Sequence, residues 1–298
     1  MTSIKGYVYI LSATLFWGIS ATVAKFLFTQ QMNTLVLVQM RISLSCIILF
    51  TIFIFFRRDL LHIKVRDLYS FALLGILGMA GSNFTYYFAI EQTNVSTAIL
   101  LQYMAPLVVL IYAAISGDEK LTYVKVIAGI VSLGGCILAV LGKDFSLLKM
   151  SKLGLLAGIA SAICWSFTNI WLRRVLKEYS IWTALIYAFI FASVFWLFFN
   201  PPWEIVAAQY SSQQWMIFTV FALISILIPH AFYFAGGRHL TTSHTVITAT
   251  SEPVIAILSA YVFLQEVLVP LQLVGAVLVV SAIALLQIKE KVQREEIP

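Results

Sequence analysis

Charged residues are scarce in this chain: Asp, Glu, Lys and Arg make up only 11% of its 298 residues. Soluble globular domains carry about 25% charged residues, and here 61% of the residues are hydrophobic. This composition excludes a soluble globular protein and predicts that the lipid bilayer is the main solvent. The formal net charge is +6, but the basic residues lie in short segments between apolar runs, so we predict no nucleic-acid partner.

Cysteines and catalytic motifs are scarce as well. Cys46, Cys136 and Cys164 lie within apolar runs and form no CxxC or other metal-ligand spacing. HExxH and GxSxG motifs are absent, and no aspartate lies within an apolar run, which argues against the familiar peptidase sites. We therefore predict no enzymatic activity, no catalytic residue, no metal and no cofactor. A pair of Ser161 and His230 stays open as an enzymatic alternative.

Apolar runs of about 20 residues, the length that crosses a bilayer core of about 30 Å, are what the sequence has in abundance. We predict an all-α integral membrane protein with ten transmembrane helices. They run from Gly6 to Phe28, Leu35 to Phe56, Leu68 to Ile90, Ser96 to Ile115, Thr122 to Leu141, Leu153 to Leu172, Ile181 to Phe199, Trp215 to Ala235, Thr241 to Leu264 and Leu271 to Ile288. The first run is longer than a signal-peptide core and lacks a cleavage pattern, so we expect it to be retained. The connectors are short, and the longest is the polar loop from Asn200 to Gln214.

Lys and Arg residues are distributed unequally between the two sides of this arrangement. Three, at Lys143, Lys149 and Lys152, fall on one side and thirteen on the other. The thirteen are Lys5, Arg57, Arg58, Lys64, Arg66, Lys120, Arg173, Arg174, Lys177, Arg238, Lys289, Lys291 and Arg294. Because basic connectors stay on the cytoplasmic side, both termini are predicted to be cytoplasmic.

Residues of distinctive type recur at a fixed separation. Trp17 and Trp165 are 148 positions apart, and four further pairs are 147 apart. These four pairs are Ser96 with Ser243, Pro106 with Pro253, Glu119 with Glu266, and Leu121 with Leu268. We predict two sequence-related units, residues 1–148 and 149–298, with five spans each. Because five is odd, the second unit enters the membrane with opposite polarity, as in the inverted repeats of secondary transporters.

The segments that end each unit carry a family resemblance. The fourth predicted span contains Ala105 and Pro106 and is followed by Gly117, Asp118, Glu119 and Lys120. The ninth contains Ser251, Glu252 and Pro253 and is followed by Gln265, Glu266 and then Gly275. The chain resembles the drug/metabolite transporter superfamily, and within it the ten-helix EamA-type permeases. The resemblance implies export of amino acids or related metabolites across a bacterial inner membrane, through a central cavity lined by spans 1, 3, 4, 6, 8 and 9.

Glu252 is the sharpest single feature, because a carboxylate near the middle of a span costs about 2.5 to 3.5 kcal/mol on insertion scales. Pro253 lacks an N–H and so leaves the carbonyl of Ala249 without its helical partner. Two interpretations stay open. Glu252 contacts a substrate ammonium group or carries a proton in exchange, or it holds the broken helix by pairing with a neighbouring donor.

Polar and aromatic residues on the other cavity-facing spans complete the predicted substrate site. The site consists of Trp17, Asn83, Tyr86, Tyr87, Gln102, Tyr103, Trp165, Asn169, His230, Tyr233, Thr248 and Glu252. Such walls suit a small amphipathic metabolite, although helix packing is the alternative role for each aromatic residue. Lys25 and Arg41 lie within about two turns of a helix end and are interpreted as snorkelling to the interface.

The function predicted from these features is alternating-access transport by a chain that need not oligomerise. Its partners are a small-molecule substrate, the lipid bilayer and, as a hypothesis, protons. Two alternatives stay open: a membrane regulator built on a transporter scaffold, and a carrier of another metabolite class such as nucleotide- or lipid-linked sugars.

Overall fold

The computed structural model describes residues 4–29, 34–142, 151–265 and 267–295, and side chains except those of residues 21–22, 24–29, 34, 264 and 289–295. Within these ranges the chain is helical and contains no β-strand. The α-helices are α1 (Ile4–Thr29), α2 (Thr34–Phe56), α3 (Leu68–Leu73), α4 (Gly81–Gln92), α5 (Val95–Gln102), α6 (Ala105–Ser116), α7 (Tyr123–Leu141), α8 (Lys152–Val175), α9 (Ile181–Leu197), α10 (Pro202–Ala207), α11 (Ser212–Ala222), α12 (Ile228–His239), α13 (Thr242–Ala249), α14 (Ser251–Leu264) and α15 (Pro270–Glu295). Glu266, Lys143 and Lys149, which the sequence analysis singled out, lie outside the described residues.

Eight helical segments of the described chain are long and apolar enough to cross a membrane. They are Leu35–Phe56, Val65–Gln92, Val95–Ser116, Tyr123–Leu141, Lys152–Val175, Ser212–His239, Thr242–Phe263 and Pro270–Ile288. Their bounds agree with the predicted ones to within a few residues. Two further helices, α1 with 26 residues and the shorter apolar α9 with 17, lie at predicted spans. The membrane-protein fold is thus confirmed.

Several spans depart from regular α-geometry. π-helical turns at Leu74–Ala80 and Leu223–Leu227 join α3 to α4 and α11 to α12, and neither was predicted. Two other spans are interrupted, between α5 and α6 and, at Thr250, between α13 and α14. In both, a proline follows the interruption within the first turn, where a missing N–H removes no helical hydrogen bond. The predicted loop from Asn200 to Gln214 contains a short helix, α10.

Interlocking of the N-terminal and C-terminal parts of the chain holds the bundle together. Helix α1 packs mainly against α12 and α14, whereas α8 packs mainly against α4 and α5. Helices α7 and α15 approach each other closely through their backbones, since a Cβ built on Gly275 would lie 2.4 Å from the Ala139 nitrogen and 2.6 Å from the Gly135 carbonyl oxygen. Large apolar side chains such as Ile115 and Phe56 remain exposed on the outside, as a lipid-facing surface requires.

Connectors rich in Lys and Arg meet at one end of the bundle, which we call the basic end. The Nζ atom of Lys64, in the connector after α2, lies 3.5 Å from the Oε2 atom of Glu178 in the connector after α8. The Tyr179 hydroxyl of the same connector donates to Asp67, at 2.6 Å. The turn between α4 and α5, residues 93–94, lies at the other end, which we call the opposite end.

Candidate functional site

A cavity of about 210 Å³ lies among the helices and extends from the middle of the bundle towards the opposite end. Trp17, Trp165 and Glu252 line its inner part. Ile90, in the last turn of α4, and Val95, at the start of α5, line its outer part. The cavity therefore connects the centre of the bundle with one side only.

Nine of the twelve predicted site residues line this cavity. They are Trp17, Asn83, Tyr86, Tyr87, Gln102, Tyr103, Trp165, His230 and Glu252. The other three, Asn169, Tyr233 and Thr248, are buried beside it. The structure thus brings residues from six predicted spans to one place, and their role in substrate binding stays a prediction.

Arg41 is the main correction to the sequence analysis. Its guanidinium does not snorkel to the interface but turns into the cavity. Nη2 donates to the Asn83 side-chain oxygen at 3.0 Å and to the Tyr87 hydroxyl at 2.9 Å. The guanidinium carbon lies 5.5 Å from the Tyr87 ring centroid and 6.0 Å from that of Phe221. Two hydrogen bonds and two aromatic rings therefore hold the cation inside the bundle.

Glu252 lies in the first turn of α14 and faces the same cavity. The Tyr103 side chain, at the interruption between α5 and α6, lies beside its carboxyl group and interacts with it. The two interrupted spans therefore meet through these side chains. Both earlier interpretations of Glu252 fit this geometry, because the carboxyl has a structural partner and also faces open space.

Aromatic rings form the inner floor of the cavity. The Trp17 ring centroid lies 5.9 Å from that of Trp165, 5.1 Å from His230 and 5.1 Å from Tyr233. Below them the Tyr233 hydroxyl donates to the Asn169 side-chain oxygen at 2.6 Å, and the Asn169 amide donates to the Trp165 carbonyl at 2.7 Å. Tyr233 and Asn169 thus support the floor from behind.

Polar side chains of the cavity wall also bond to one another. The Gln102 amide donates to the Ser161 hydroxyl at 2.8 Å and to the Ser82 hydroxyl at 3.2 Å. The His230 ring Nδ1 lies 2.8 Å from the Ile226 carbonyl oxygen of the preceding turn. Ser161 and His230 therefore have separate partners. Among the described residues no group of three His, Cys, Asp or Glu side chains is placed to hold a metal ion.

A buried charged network closes the basic end below this floor, and we call it the Glu119 network. The Glu119 carboxylate accepts from Lys125 Nζ at 2.6 Å, from the Thr241 hydroxyl at 2.6 Å and from the Ser243 backbone N–H at 3.2 Å. Arg173 Nη1 lies 3.8 Å away. Burial acts to raise the pKa of Glu119, but the hydrogen bonds from Lys125 and Thr241 outweigh it and lower that pKa.

The placement of Glu119 follows from the local chain. Gly117 ends α6 with a positive φ of 68°, a conformation that glycine adopts without steric cost. Thr122 then caps α7 by accepting from the backbone N–H of Lys125. Glu119 and Lys125 belong to the N-terminal part, whereas Thr241 and Ser243 belong to the C-terminal part. The network therefore joins the two parts across the closed end of the cavity.

Sequence reasoning missed several cavity-lining residues. Besides Arg41 these include Ser20, Ser82, Phe221 and Ser225. Only Arg41 gave a signal in the sequence, as a lone cation inside an apolar span. The serines and Phe221 are common in membrane helices and carry no such signal.

These features define a multispanning membrane protein with one central amphipathic cavity, open towards one side. The model of the EamA-like transporter family matches the chain twice, over residues 4–141 and 152–288. The chain therefore belongs to the EamA-like transporter family and is a transporter, which confirms the resemblance drawn from the motifs around Pro106 and Pro253.

Individual relatives agree with this assignment. The chain is 24% identical over 291 residues, 96% of each chain, to the uncharacterized inner membrane transporter YicL of Salmonella typhimurium. It is 24% identical over 226 residues to the threonine/homoserine exporter RhtA of Escherichia coli strain K12, covering 74% of this chain and 72% of that protein. A crystal structure with 16% sequence identity superposes with a TM-score of 0.77 over 98% of both chains, which shows the same fold.

Proposed function

We propose that the protein is a secondary carrier that exports amino acids or related small metabolites by alternating access. The observation that carries this proposal is the central cavity, whose described lining has aromatic walls with Arg41 and Glu252 and extends towards one side of the bundle. Small-molecule sites combine such apolar walls with a few placed polar groups. The exporter RhtA among the relatives supports an amino acid as the substrate and export as the direction.

The architecture that we propose is ten transmembrane helices in two inverted repeats, residues 1–148 and 149–298. The eight long spans together with α1 and α9 support the number ten. The double family match supports two related units. The π-helical turns lie at corresponding places in the two units, and so do the two helix interruptions. Rocking of the two units about the central cavity would then expose it to each side in turn.

The proposed location is a bacterial inner membrane with both termini in the cytoplasm. The relative YicL, named as an inner membrane transporter, supports the location. The connectors that meet at the basic end support the orientation, because Lys and Arg accumulate on the cytoplasmic side. In this orientation the cavity of the present structure faces outward.

Proton exchange through Glu252 is a further part of the proposal, motivated by the carboxyl that faces the cavity from the first turn of α14. We expect Glu252→Gln to slow substrate flux and to flatten its dependence on pH, because glutamine cannot take up a proton. Flux would be measured in proteoliposomes over a series of pH values. Unchanged rates and an unchanged pH profile in the variant would contradict proton coupling.

Counterflow in proteoliposomes tests transport itself. Vesicles that contain the purified protein are preloaded with one unlabelled amino acid, and uptake of the same radiolabelled compound is followed. Counterflow needs no coupling ion, so the result depends only on whether the compound crosses. Accumulation of an amino acid supports the carrier, whereas failure of every amino acid with a folded protein contradicts amino-acid transport.

The composition of the cavity also bears on the alternative substrates. Arg41 is the one Lys or Arg side chain among the described residues that line it. A diphosphate-linked sugar needs several basic donors around its two phosphates. The cavity therefore favours an amino acid over a nucleotide-linked or lipid-linked sugar. A regulator built on the same scaffold would bind its ligand without any flux in the counterflow assay.

A further inference from the structure

We propose that Arg41 and Glu252 are the two ends of a receptor for a zwitterion, in which Arg41 binds the carboxylate and Glu252 binds the ammonium group of one amino acid. This inference rests on the proposed function, because it describes how the cavity would select the substrate. It gives Arg41 a substrate-binding role. It also assigns the two ends of the ligand to opposite charges on different helices, α2 and α14.

The Arg41 guanidinium has donors to spare. Both recorded side-chain hydrogen bonds, to Asn83 and Tyr87, use Nη2. Nε is buried and has no hydrogen-bond partner in the structure. A guanidinium presents five N–H donors in a planar fork that matches the two oxygens of a carboxylate. Asn83 and Tyr87 therefore fix the orientation of the guanidinium and occupy both N–H groups of Nη2, which leaves the two N–H groups of Nη1 to donate to an anion.

Glu252 supplies the opposite charge in the same cavity. Its carboxyl oxygens can accept several hydrogen bonds, more than the single hydroxyl of the neighbouring Tyr103 could donate. Within the described part of the chain, no salt bridge joins Arg41 to Glu252 or to any other carboxylate. Among the described residues, Arg41 and Glu252 thus face the cavity with no ion pair of their own, although they are close enough to attract each other. Such an arrangement is costly inside a membrane unless a ligand completes it.

A zwitterion satisfies both groups at once and has no net charge. Moving a net charge through the membrane potential would change the free energy by about 2.3 kcal/mol per 100 mV, and a neutral ligand avoids this. The side chain of the bound amino acid would contact the apolar part of the wall, which includes Trp17, Trp165 and Ile99. We therefore expect amino acids with apolar side chains to bind better than those with a charged side chain.

Truncated ligands separate the two ends of the receptor. An amine that lacks the carboxylate leaves Arg41 unfilled, and a carboxylic acid that lacks the amino group leaves Glu252 unfilled. Each lost charge-assisted contact should weaken binding by about 10- to 100-fold, as is usual for hydrogen bonds to charged groups. Both truncated forms of a bound amino acid should therefore compete much less well than the amino acid itself.

The experiment combines three ligands with two variants. L-Leucine, isoamylamine and 4-methylpentanoate are tested for binding to the full-length protein in detergent, through the fluorescence of the cavity tryptophans Trp17 and Trp165. The same is done for Arg41→Gln and Glu252→Gln. Arg238→Gln is the control, because it removes an exposed basic residue at the basic end, outside the cavity. L-Leucine counterflow is measured in parallel with every variant.

We expect Arg41→Gln to weaken the binding of L-leucine about 10- to 100-fold. The binding of isoamylamine should be unchanged, because that ligand has no carboxylate for Arg41 to contact. Glu252→Gln should weaken the binding of L-leucine to a similar degree but leave the binding of 4-methylpentanoate unchanged, because that ligand has no ammonium group. Retained binding of the truncated ligand shows that each variant is folded. Equal losses for all three ligands, or no loss of L-leucine affinity, would overturn the inference.

The two assays also separate this inference from the proposed function. Binding with the expected pattern but without counterflow would contradict transport and leave the receptor intact. Counterflow at the same rate in the parent protein and in both variants would support transport and overturn the proposed role of Arg41 and Glu252 as the zwitterion receptor. If L-leucine neither binds nor exchanges, the same pair of assays with L-threonine and L-phenylalanine decides, and failure of all three amino acids overturns the receptor.

Discussion

Replacing Glu119 with glutamine would weaken the contact that closes the basic end of the cavity. Opening that end separates Glu119 from Thr241 and Ser243, which donate two hydrogen bonds to its carboxylate. Its bond to Lys125 stays within the N-terminal part and need not break. The substitution therefore acts mainly on the balance between the closed and the open form of the basic end.

The magnitude follows from these two bonds. Hydrogen bonds to a charged group contribute about 1.5 to 3 kcal/mol each and neutral ones about 0.5 to 1.5 kcal/mol. Exchanging the carboxylate for an amide should therefore weaken the closed form by about 2 kcal/mol, which changes the ratio of closed to open molecules by about 30-fold. The side chain of Glu119 is only 5% exposed, so solvent screens these bonds little.

Distances between spin labels measure this ratio. The labels would replace the exposed residues Lys120 and Arg238, one in each part of the chain, after the three native cysteines are exchanged for alanine. Glu119→Gln should increase the population with longer distances. Asp118→Asn is the matched control, because the neighbouring Asp118 pairs with Arg174 at 3.7 Å but is 58% exposed, and exposed pairs contribute little. Identical distance distributions in Glu119→Gln and the parent protein would refute the reasoning.

Acid should have the same effect as the substitution. The closed form lowers the pKa of Glu119 from its ordinary value of 4.5 through the bonds from Lys125 and Thr241. A carboxyl with a lowered pKa stabilises fully above its ordinary value, and the stabilisation is lost as the pH falls through the lowered value. We expect longer distances at acid pH in the parent protein and a weaker pH response in Glu119→Gln. The network is also faced by the titratable or charged side chains of Lys125, Arg173 and His244. The pH response that remains in Glu119→Gln measures the contribution of these groups.

Two further predictions concern stability, and thermal unfolding of the purified protein in detergent checks both. Gly275→Ala should destabilise the protein by about 1 to 3 kcal/mol, as overpacking does. The new Cβ would meet Ala139 and Gly135 at the crossing of α7 and α15. An unchanged unfolding temperature would show that the two helices can move apart at no cost in stability. Tyr233→Phe should cost about 0.5 to 1.5 kcal/mol, because the Asn169 oxygen loses its donor; no loss would mean that this bond does not hold the cavity floor.

Much of the fold could be predicted from the sequence, because a span of about 20 apolar residues is a strong and local signal. The interruption near Pro253 was equally local. The π-helical turn at Leu74–Ala80 was not predictable, since its apolar residues and the glycines Gly75 and Gly78 are common in regular membrane helices as well. The helix at Pro202–Ala207 lies in a segment whose polar composition indicated only a loop.

The candidate site was predictable where a residue type is unusual in a membrane. Glu252 and Asn83 were identified in that way, and both line the cavity. Arg41 was assigned to the interface because its distance from the helix end permits snorkelling, and only the structure shows that Asn83 and Tyr87 hold it inside. Which polar residues bond to each other, as Tyr233 does to Asn169, depends on helix rotation, which one sequence does not fix.

The contact between Trp17 and Trp165 has a consequence for the ancestry of the chain. In the proposed repeat these residues are equivalent, so their contact lies on the axis that relates the two units. A dimer of two identical five-helix chains would form the same contact from one gene. Such a dimer would also have to carry every polar group twice, at both symmetric positions. Here the positions equivalent to Arg41 and Glu252 hold Phe189 and Ala105. Fusion of two gene copies would thus have allowed a binding site in which each of the two unlike ends occurs once, which a symmetric dimer cannot build.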